Sequence, residues 1–311
     1  MASRTFQPNK EIPDLSGKVI FITGGTAGLG AGSIAELAKH DPAHIIFSGR
    51  NERSADALKT KVAKTSPNVK LSFLKCDISS LSSVQACANE LKAATDRLDI
   101  LMLNAGIMAV DAATSPDGYE IQWATNQMGH SLLVKLLLPL LQQTAQLPGA
   151  DVRVVNMTSI AYKQAPKQGM DFNTLRSKQE NLGSMMVPGR WERYGQSKLA
   201  QLLYTEQLAE RYPEVTFVSV HPGYIMTGLF GNVSLMTKLP ALVMSVGKRT
   251  PVEQGHFNQC WAATCDKKLL KNGEYYEPIG EKGPRATRQS KDRKLGERLW
   301  QWTQTELEAY Q

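Results

Sequence analysis

The chain has 311 residues, of which 42% are hydrophobic and 21% are charged. This composition is typical of a soluble globular protein with one large domain or two small ones. Residues 1–18 are polar and lack an apolar signal core, so we predict no signal peptide and a cytoplasmic protein. The five histidines and four cysteines show no metal-binding spacing, so we predict reduced, mostly buried thiols and no metal.

The first predicted strand, Lys18 to Thr23, leads directly into a glycine-rich turn. Gly24, Gly28 and Gly30 follow the strand, and a helix is predicted from about Gly28 to His40. Glycines allow a tight turn and let backbone N–H groups approach a pyrophosphate at the start of a helix. The segment therefore predicts a dinucleotide-binding turn, and a purely structural turn is the alternative interpretation.

Three later strands are each followed by a polar residue. The strand at 70–75 precedes Asp77, the strand at 99–103 precedes Asn104-Ala-Gly106, and the strand at 152–157 precedes Ser159. Strand-like and helical runs alternate from residue 18 to residue 221 without a linker or a repeat. We therefore predict a single α/β domain, a doubly wound parallel sheet of the Rossmann type with helices on both faces.

Tyr194 and Lys198 are four residues apart in a predicted helix, which places both side chains on one face. An ammonium group beside a phenol is expected to lower the pKa of the phenol. Tyr194 is therefore a candidate general acid/base. A Tyr-x-x-x-Lys pair also arises by chance, so the pair indicates a function only because the glycine turn occurs in the same chain.

Together these motifs resemble the short-chain dehydrogenase/reductase family, whose cofactor turn Thr-Gly-x-x-x-Gly-x-Gly matches Thr23 to Gly30. The resemblance covers nearly the whole chain, although Leu103 stands where most relatives have a second Asn. The positions that it assigns to the cofactor are Thr23, Gly24, Gly28, Leu29, Gly30, Arg50, Asp77, Ile78, Asn104, Ala105, Gly106, Tyr194, Lys198, Pro222, Gly223 and Thr227.

The same resemblance implies a catalytic set of four residues. Ser159 is expected to hydrogen-bond the substrate carbonyl oxygen, and Tyr194 to exchange a proton with that oxygen. Lys198 is expected to hold the nicotinamide ribose, and Asn126 to order water that leads from Lys198 to solvent. The hydride chemistry itself belongs to the cofactor.

The end of the second strand indicates which nicotinamide cofactor is used. An NAD enzyme usually has an acidic residue there for the ribose hydroxyls. This chain has Gly49 and then Arg50, and a guanidinium suits a 2′-phosphate. We therefore predict NADP(H), and a surface arginine without a ligand is the alternative.

Two segments bear on the substrate. Ser159 and Tyr194 are separated by 34 residues, far more than in most of the family, which predicts an inserted loop at about 162–192. A substrate-covering segment is predicted at 224–252. The other predicted segments are an N-terminal arm at 1–17 and a C-terminal helix at 290–307. The segment at 224–252 could wall an apolar pocket or touch a membrane surface, and it is too short to span a membrane. The insertion carries the apolar residues Phe172, Leu175, Met185, Met186 and Trp191.

The insertion and the terminal helix resemble the retinol-dehydrogenase-like branch and its fungal relatives, many of which act in secondary metabolism on polyketides or terpenoids. This implies an NADP(H)-dependent oxidoreductase that interconverts a ketone or aldehyde and an alcohol on a bulky apolar substrate. Reduction of an activated C=C bond, acid/base dehydration or cyclisation, and a non-catalytic NADP-binding sensor stay open. The resemblance also leaves a homodimer or a homotetramer open.

The net charge of +7 raises the question of nucleic acid. Much of this charge lies in residues 282–298, which contain seven basic residues and two acidic ones. Leu295, Leu299 and Trp302 form an apolar stripe on the helix in this region, so the charges are predicted to lie on its solvated face. We therefore predict no nucleic-acid partner.

Overall fold

The computed structural model describes residues 6–225 and 250–310. In these ranges the strands are β1 (Val19–Ile22), β2 (His44–Gly49), β3 (Lys70–Lys75), β4 (Ile100–Leu103), β5 (Arg153–Met157), β6 (Thr216–Val220), β7 (Tyr275–Glu277) and β8 (Glu281–Lys282). They form one sheet in the order β3-β2-β1-β4-β5-β6-β7-β8. All neighbouring pairs are parallel except β7 and β8.

The described helices lie between and after the strands. They are α1 (Pro8–Glu11), α2 (Gly28–Leu37), α3 (Glu52–Ala63), α4 (Leu81–Ala94), α5 (Ile121–Trp123), α6 (Gly129–Ala145), α7 (Gly189–Arg211), α8 (Phe257–Thr264) and α9 (Arg293–Glu306). A π-helical turn, Ala124–Met128, joins α5 to α6. Short 3₁₀ turns include Ala38–His40 after α2 and Ile160–Gln164 after β5.

Helices cover both faces of the sheet, which gives two apolar cores. Alternate residues of β4 enter different cores, Leu101 and Leu103 on the side of α4, α6, α7 and α9, and Ile100 and Met102 on the side of α1, α2, α3 and α8. This alternation follows from the two-residue period of a strand buried on both faces. The arrangement confirms the predicted doubly wound α/β fold.

The order of the strands reverses next to β1. The chain passes from β1 to β2 and β3 on one side, and β4 then pairs with the other side of β1. In open α/β sheets ligands bind at the carboxyl ends of the strands near such a reversal. The residues that follow β1 and β4 are therefore those best placed to form a site.

Several elements differ from the sequence expectations. The hairpin of β7 and β8 was not predicted, because its strands are only three and two residues long. The described part of the N-terminal arm packs on the domain, since Phe6, Ile12 and Leu15 are buried in the core beside α8. The predicted helix at 28–40 corresponds to α2 and the 3₁₀ turn that follows it.

The first half of the insertion packs against the C-terminal helix. Phe172 and Leu175 are buried, and the Phe172 ring lies 5.8 Å from the ring of Trp302 on α9. Arg176 donates from Nε to a carboxylate oxygen of Glu306 at 2.9 Å. Phe172 and Leu175 are therefore core residues, which corrects the expectation that they wall a substrate pocket.

The second half of the insertion presents apolar side chains to solvent. Met185 and Met186 are fully exposed in a tight turn, in which the Ser184 amide donates to the Val187 carbonyl at 2.8 Å. The chain then enters α7, where the Trp191 ring packs edge-on against the Tyr194 ring at 6.0 Å. The insertion therefore has a packed base and an apolar tip close in sequence to Tyr194.

The basic C-terminal segment is partly neutralised by acidic residues of α7. Arg285 pairs with Glu206 at 2.7 Å, and Arg293 pairs with Glu210 at 2.5 Å. Leu295 and Leu299 of the same segment are buried against α7 and its neighbours. These contacts agree with a helix that packs on the domain through its apolar stripe.

Candidate active site

The glycine turn joins β1 to α2 and leaves the start of the helix open. Gly24 has φ +66°, and a Cβ atom there would lie 2.9 Å from the Cα of Ala105. A Cβ atom at Gly30 would collide with the carbonyl oxygen of Gly24. Gly28 begins α2 with no neighbouring atom within 4 Å of a built Cβ, and no side chain caps the helix. The first N–H groups of α2, around Leu29, are thus available to an anion.

Thr23 and Asn104 hold the ends of β1 and β4 together. The Thr23 hydroxyl accepts from the backbone N–H groups of Asn104 and Ala105, each at 3.0 Å. The side-chain NH₂ group of Asn104 donates to the Thr23 backbone carbonyl at 2.9 Å. These bonds hold the base of the glycine turn in place. Three of the predicted positions, Thr23, Asn104 and Ala105, are thus hydrogen-bonded to one another.

Gln259 of α8 belongs to the same group and was not found from the sequence. Its side-chain NH₂ donates to Ser33 of α2 at 2.5 Å and lies 3.3 Å from the Asn104 side-chain oxygen. Gln259 is 155 positions from Asn104, and no local pattern marks it. Its contacts tie the helix of the glycine turn to the end of β4.

Arg50 lies exposed directly after β2, beside the glycine turn. The backbone of Gly49 packs so closely on Thr26 that a Cβ there would lie 2.7 Å from the threonine methyl group. Within residues 6–225 and 250–310 Arg50 forms no ion pair, whereas nearby Lys75 pairs with Glu52 at 3.0 Å. The guanidinium is therefore uncommitted in this part of the chain.

Asp77 and Ile78 follow β3 at the same edge. An Asp77 carboxylate oxygen accepts from the Ser79 amide at 3.0 Å and from the Ser79 hydroxyl at 2.7 Å. The Asp77 amide donates to the Ser83 hydroxyl at 3.0 Å. Ile78 is buried in the core on the α4 and α6 side. This loop is thus ordered by its own hydrogen bonds, with Asp77 partly accessible.

Asn126 lies in the π-helical turn and connects three segments. Its side-chain oxygen accepts from the Ile107 amide at 2.9 Å, and its NH₂ donates to the Ile107 carbonyl at 3.0 Å and to the Ser197 hydroxyl at 2.9 Å. A Cβ at Gly106 would lie 3.0 Å from the Asn126 oxygen. The side chain therefore makes all of its described hydrogen bonds inside the protein.

His130 is a second buried group that the sequence did not reveal. Its Nδ1 lies 3.1 Å from the Asn126 carbonyl, and its Nε2 lies 2.9 Å from the Thr23 hydroxyl. Burial lowers the pKa of His130 to about 4, so the ring is neutral at neutral pH. The imidazole therefore bridges the glycine turn and the turn that holds Asn126.

Ser159, Tyr194 and Lys198 come together at the carboxyl end of β5. The Ser159 hydroxyl lies close enough to the Tyr194 phenol to lower the pKa of that phenol. The Lys198 ammonium lies 5.6 Å from the centroid of the Tyr194 ring. The structure thus brings the predicted serine, tyrosine and lysine within reach of one another.

Burial dominates the electrostatics of this group. It raises the pKa of Tyr194 to about 12, and the nearby Ser159 side chain only partly opposes that rise. Burial also lowers the pKa of Lys198 to about 7. The expectation that Lys198 lowers the phenol pKa is therefore not met in the chain alone, because removing both groups from water outweighs their mutual interaction. Tyr194 is protonated at neutral pH.

Pro222 and Gly223 follow β6 on the same edge, next to an imidazole without partners. Both ring nitrogens of the buried His221 lack a hydrogen-bond partner within the described ranges. Burial lowers the pKa of His221 to about 3. Thr227 and most of the predicted segment at 224–252 lie outside the described residues.

Three further properties concern the described part of the chain. No group of three or more His, Cys, Asp or Glu side chains there could hold a metal ion. No helix in residues 6–225 and 250–310 has the length and apolar character to cross a membrane. The four cysteines are buried, as predicted.

Comparison with known proteins supports one family. A family model described as short chain dehydrogenase matches residues 18–173. The short-chain dehydrogenase/reductase drtF of Aspergillus calidoustus is 35% identical over 309 residues, 95% of either chain. An uncharacterized oxidoreductase of Schizosaccharomyces pombe is 37% identical, over 88% of this chain and 80% of the relative.

The solved structures agree on the fold. The crystal structure of an uncharacterized protein from Mycobacterium paratuberculosis superposes with a TM-score of 0.71 at 27% identity and covers 96% of each chain. The sheet order, the glycine turn after β1 and the sequence matches point in the same direction. This chain belongs to the short-chain dehydrogenase/reductase family of oxidoreductases.

Proposed function

We propose that this protein is an NADP(H)-dependent oxidoreductase that interconverts a ketone or aldehyde and an alcohol on a bulky apolar substrate. The observation that carries the proposal is the proximity of the Ser159 hydroxyl to the Tyr194 phenol, with the Lys198 ammonium 5.6 Å from the tyrosine ring. Serine and tyrosine hydroxyls that meet at one point suit a single oxygen atom of a substrate. The lysine supplies a buried positive charge beside them.

The residues present fit a dinucleotide cofactor. The open start of α2 and the close packing of Gly24 and Gly30 suit a pyrophosphate, and the exposed Arg50 suits a 2′-phosphate. Asp77, Asn104 and the residues after β6 complete the same edge. A bound nicotinamide would supply or accept the hydride.

Proton transfer follows from the state of Tyr194. A phenol with a pKa of about 12 carries its proton at neutral pH, as an acid for carbonyl reduction requires. Ser159 orients the carbonyl oxygen toward that proton. In the direction of alcohol oxidation Tyr194 must lose the proton first, and the Lys198 ammonium stabilises the tyrosinate. Water ordered near Asn126 would carry protons between Lys198 and solvent.

The apolar substrate is supported by the tip of the insertion. Met185 and Met186 are exposed, and the Trp191 and Tyr194 rings form a T-shaped pair. Exposed apolar side chains that are close in sequence to a reactive group favour a substrate with a large apolar surface. Met side chains adapt to irregular shapes, which suits such a ligand.

The test is a screen of the purified protein with NADPH against apolar ketones, aldehydes, enones and alcohols, with identification of every product. We expect NADPH oxidation with apolar ketones or aldehydes and the corresponding alcohol as product. A saturated ketone formed from an enone would instead show reduction of a C=C bond. NADPH binding without turnover across the panel would indicate the non-catalytic sensor.

A further inference from the structure

A chain of buried amide groups lies behind Lys198. The Lys198 ammonium donates to the side-chain oxygen of Gln201 at 2.7 Å and to the Met157 carbonyl at 2.9 Å. Gln201 has no exposed surface, and Asn156 of β5 and Thr205 of α7 are also buried. The Gln201 NH₂ donates to the Asn156 side-chain oxygen at 3.0 Å.

The direction of every hydrogen bond in this chain is set by the lysine. An ammonium group only donates, so Gln201 must present its oxygen to Lys198 and its NH₂ to Asn156. Asn156 then turns its own NH₂ toward the Thr205 hydroxyl at 3.1 Å and the Gln201 carbonyl at 3.3 Å. The Thr205 hydroxyl donates to that same carbonyl at 2.8 Å. This series of hydrogen bonds therefore ends on the backbone of α7, and it allows the Gln201 side-chain amide only one orientation.

We propose that Gln201, held by Asn156, is a positioning residue that keeps Lys198 in its ammonium form and sets where that ammonium points. With the Met157 carbonyl it takes two of the three N–H groups of the ammonium. One N–H group stays available for the cofactor ribose. The inference rests on the proposed function, because it assigns the support of the same lysine.

The described groups around Lys198 do not themselves supply a negative charge that would keep it protonated. The titratable groups that face the ammonium are Tyr194 of α7, His130 of α6 and His221 at the end of β6. Burial keeps both imidazoles neutral and the phenol protonated at neutral pH. Burial also lowers the pKa of Lys198 to about 7, so its charge at neutral pH depends on the acceptors that surround it.

The experiment compares Gln201→Leu and Gln201→Glu with the parent protein. The leucine variant removes the acceptor, and the glutamate variant keeps it and adds a negative charge. We expect the alkaline limb of kcat/KM for carbonyl reduction to move to lower pH in Gln201→Leu and to higher pH in Gln201→Glu. Each shift should be about one to two pH units, the range expected for a hydrogen bond to a charged group.

The matched control is Gln207→Leu, a buried glutamine on the same helix whose side-chain oxygen accepts from Arg211 at 2.7 Å. This variant should leave the pH limb in place. If Gln201→Leu does not fold, Gln201→Glu decides the question, because it keeps the size and the acceptor. Limbs that stay in place, or move in the same direction in both Gln201 variants, would overturn the inference.

A second readout requires no turnover. The pH at which Lys198 titrates also appears in the pH dependence of the unfolding free energy, and its midpoint should move in the same two directions. A merely structural glutamine would change stability equally at every pH. An inactive parent protein with moving midpoints would reject only the proposed activity. An active parent protein with fixed midpoints would reject only the role of Gln201.

Discussion

The Thr23 hydroxyl donates a hydrogen bond to Nε2 of His130, 2.9 Å away and 107 positions along the chain. The direction follows from the other ring nitrogen, because Nδ1 faces the Asn126 carbonyl and must carry the proton of the neutral ring. With its proton committed, the Thr23 oxygen has both lone pairs for the amides of Asn104 and Ala105. One imidazole thus orders the glycine turn.

Replacing His130 with Phe should therefore weaken both folding and cofactor binding. We expect a loss of about 1–3 kcal/mol in unfolding free energy, the cost of leaving buried partners unsatisfied. The NADPH Kd should rise about tenfold, as the turn loses its fixed donors. His44→Phe is the control, since His44 is buried and bonded to Ser72 at 2.8 Å at the far end of β2. A Kd that changes equally in both variants would contradict the link.

Replacing Tyr194 with Phe tests the proposed acid. Turnover should fall by at least about 10²-fold, the range for loss of a general acid, while the NADPH Kd changes only a few-fold. Single-turnover reduction and cofactor titration measure the two quantities. The matched control is Tyr204→Phe, a buried tyrosine on the same helix whose oxygen accepts from Gln304 at 3.3 Å. Near-normal reduction by the Tyr194 variant would rule out the role.

The exposed Arg50 should determine cofactor preference. We expect the protein to bind NADPH more tightly than NADH, and Arg50→Ala to weaken NADPH binding by about ten- to a hundredfold. NADH binding should change little, because it lacks the 2′-phosphate. The control is Arg53→Ala, because Arg53 is also exposed but lies on α3. Equal dissociation constants for both cofactors in the unmodified protein would reject the assignment.

Burial of Lys198 should appear in the pH dependence of stability without cofactor. Its folded pKa of about 7 lies below the ordinary lysine value of 10.5, so the unfolded chain binds more protons between these values. Stability should therefore rise with pH in this window, by about 2 kcal/mol from pH 7 to pH 9. Denaturant titrations measure the rise, and it should vanish in Lys198→Met. An equal rise in that variant would show that other groups cause it.

The two halves of the insertion should respond differently to substitution. Phe172→Ala should lower the unfolding free energy by about 3–5 kcal/mol, because it empties a core position against Trp302. Replacing Met185 and Met186 with Ser should change stability by less than about 0.5 kcal/mol, because both are exposed. The double variant should raise KM for bulky apolar substrates and leave NADPH affinity unchanged. Unchanged KM would show that the tip does not contact substrate.

The elements predicted from sequence are those with a local signal. The strands around the glycine turn are continuous apolar runs, and Tyr194 and Lys198 carry their relation in a four-residue spacing. His130, Gln201 and Gln259 were missed because each is a polar residue whose role depends on partners in other elements. The Gln201 contact to Asn156 spans 45 positions, and no periodicity encodes it. The direction of the Tyr194 pKa was also missed, since burial depends on the whole fold.

The contact between the insertion and the C-terminal helix limits how substrate preference can be exchanged between relatives. Phe172 rests on Trp302, and Arg176 is bonded to Glu306, so the base of the insertion is shaped by residues near the other end of the sequence. A chimera that grafts only the loop would place it on a foreign surface. The insertion and helix α9 form one module, and they would have to be transferred together.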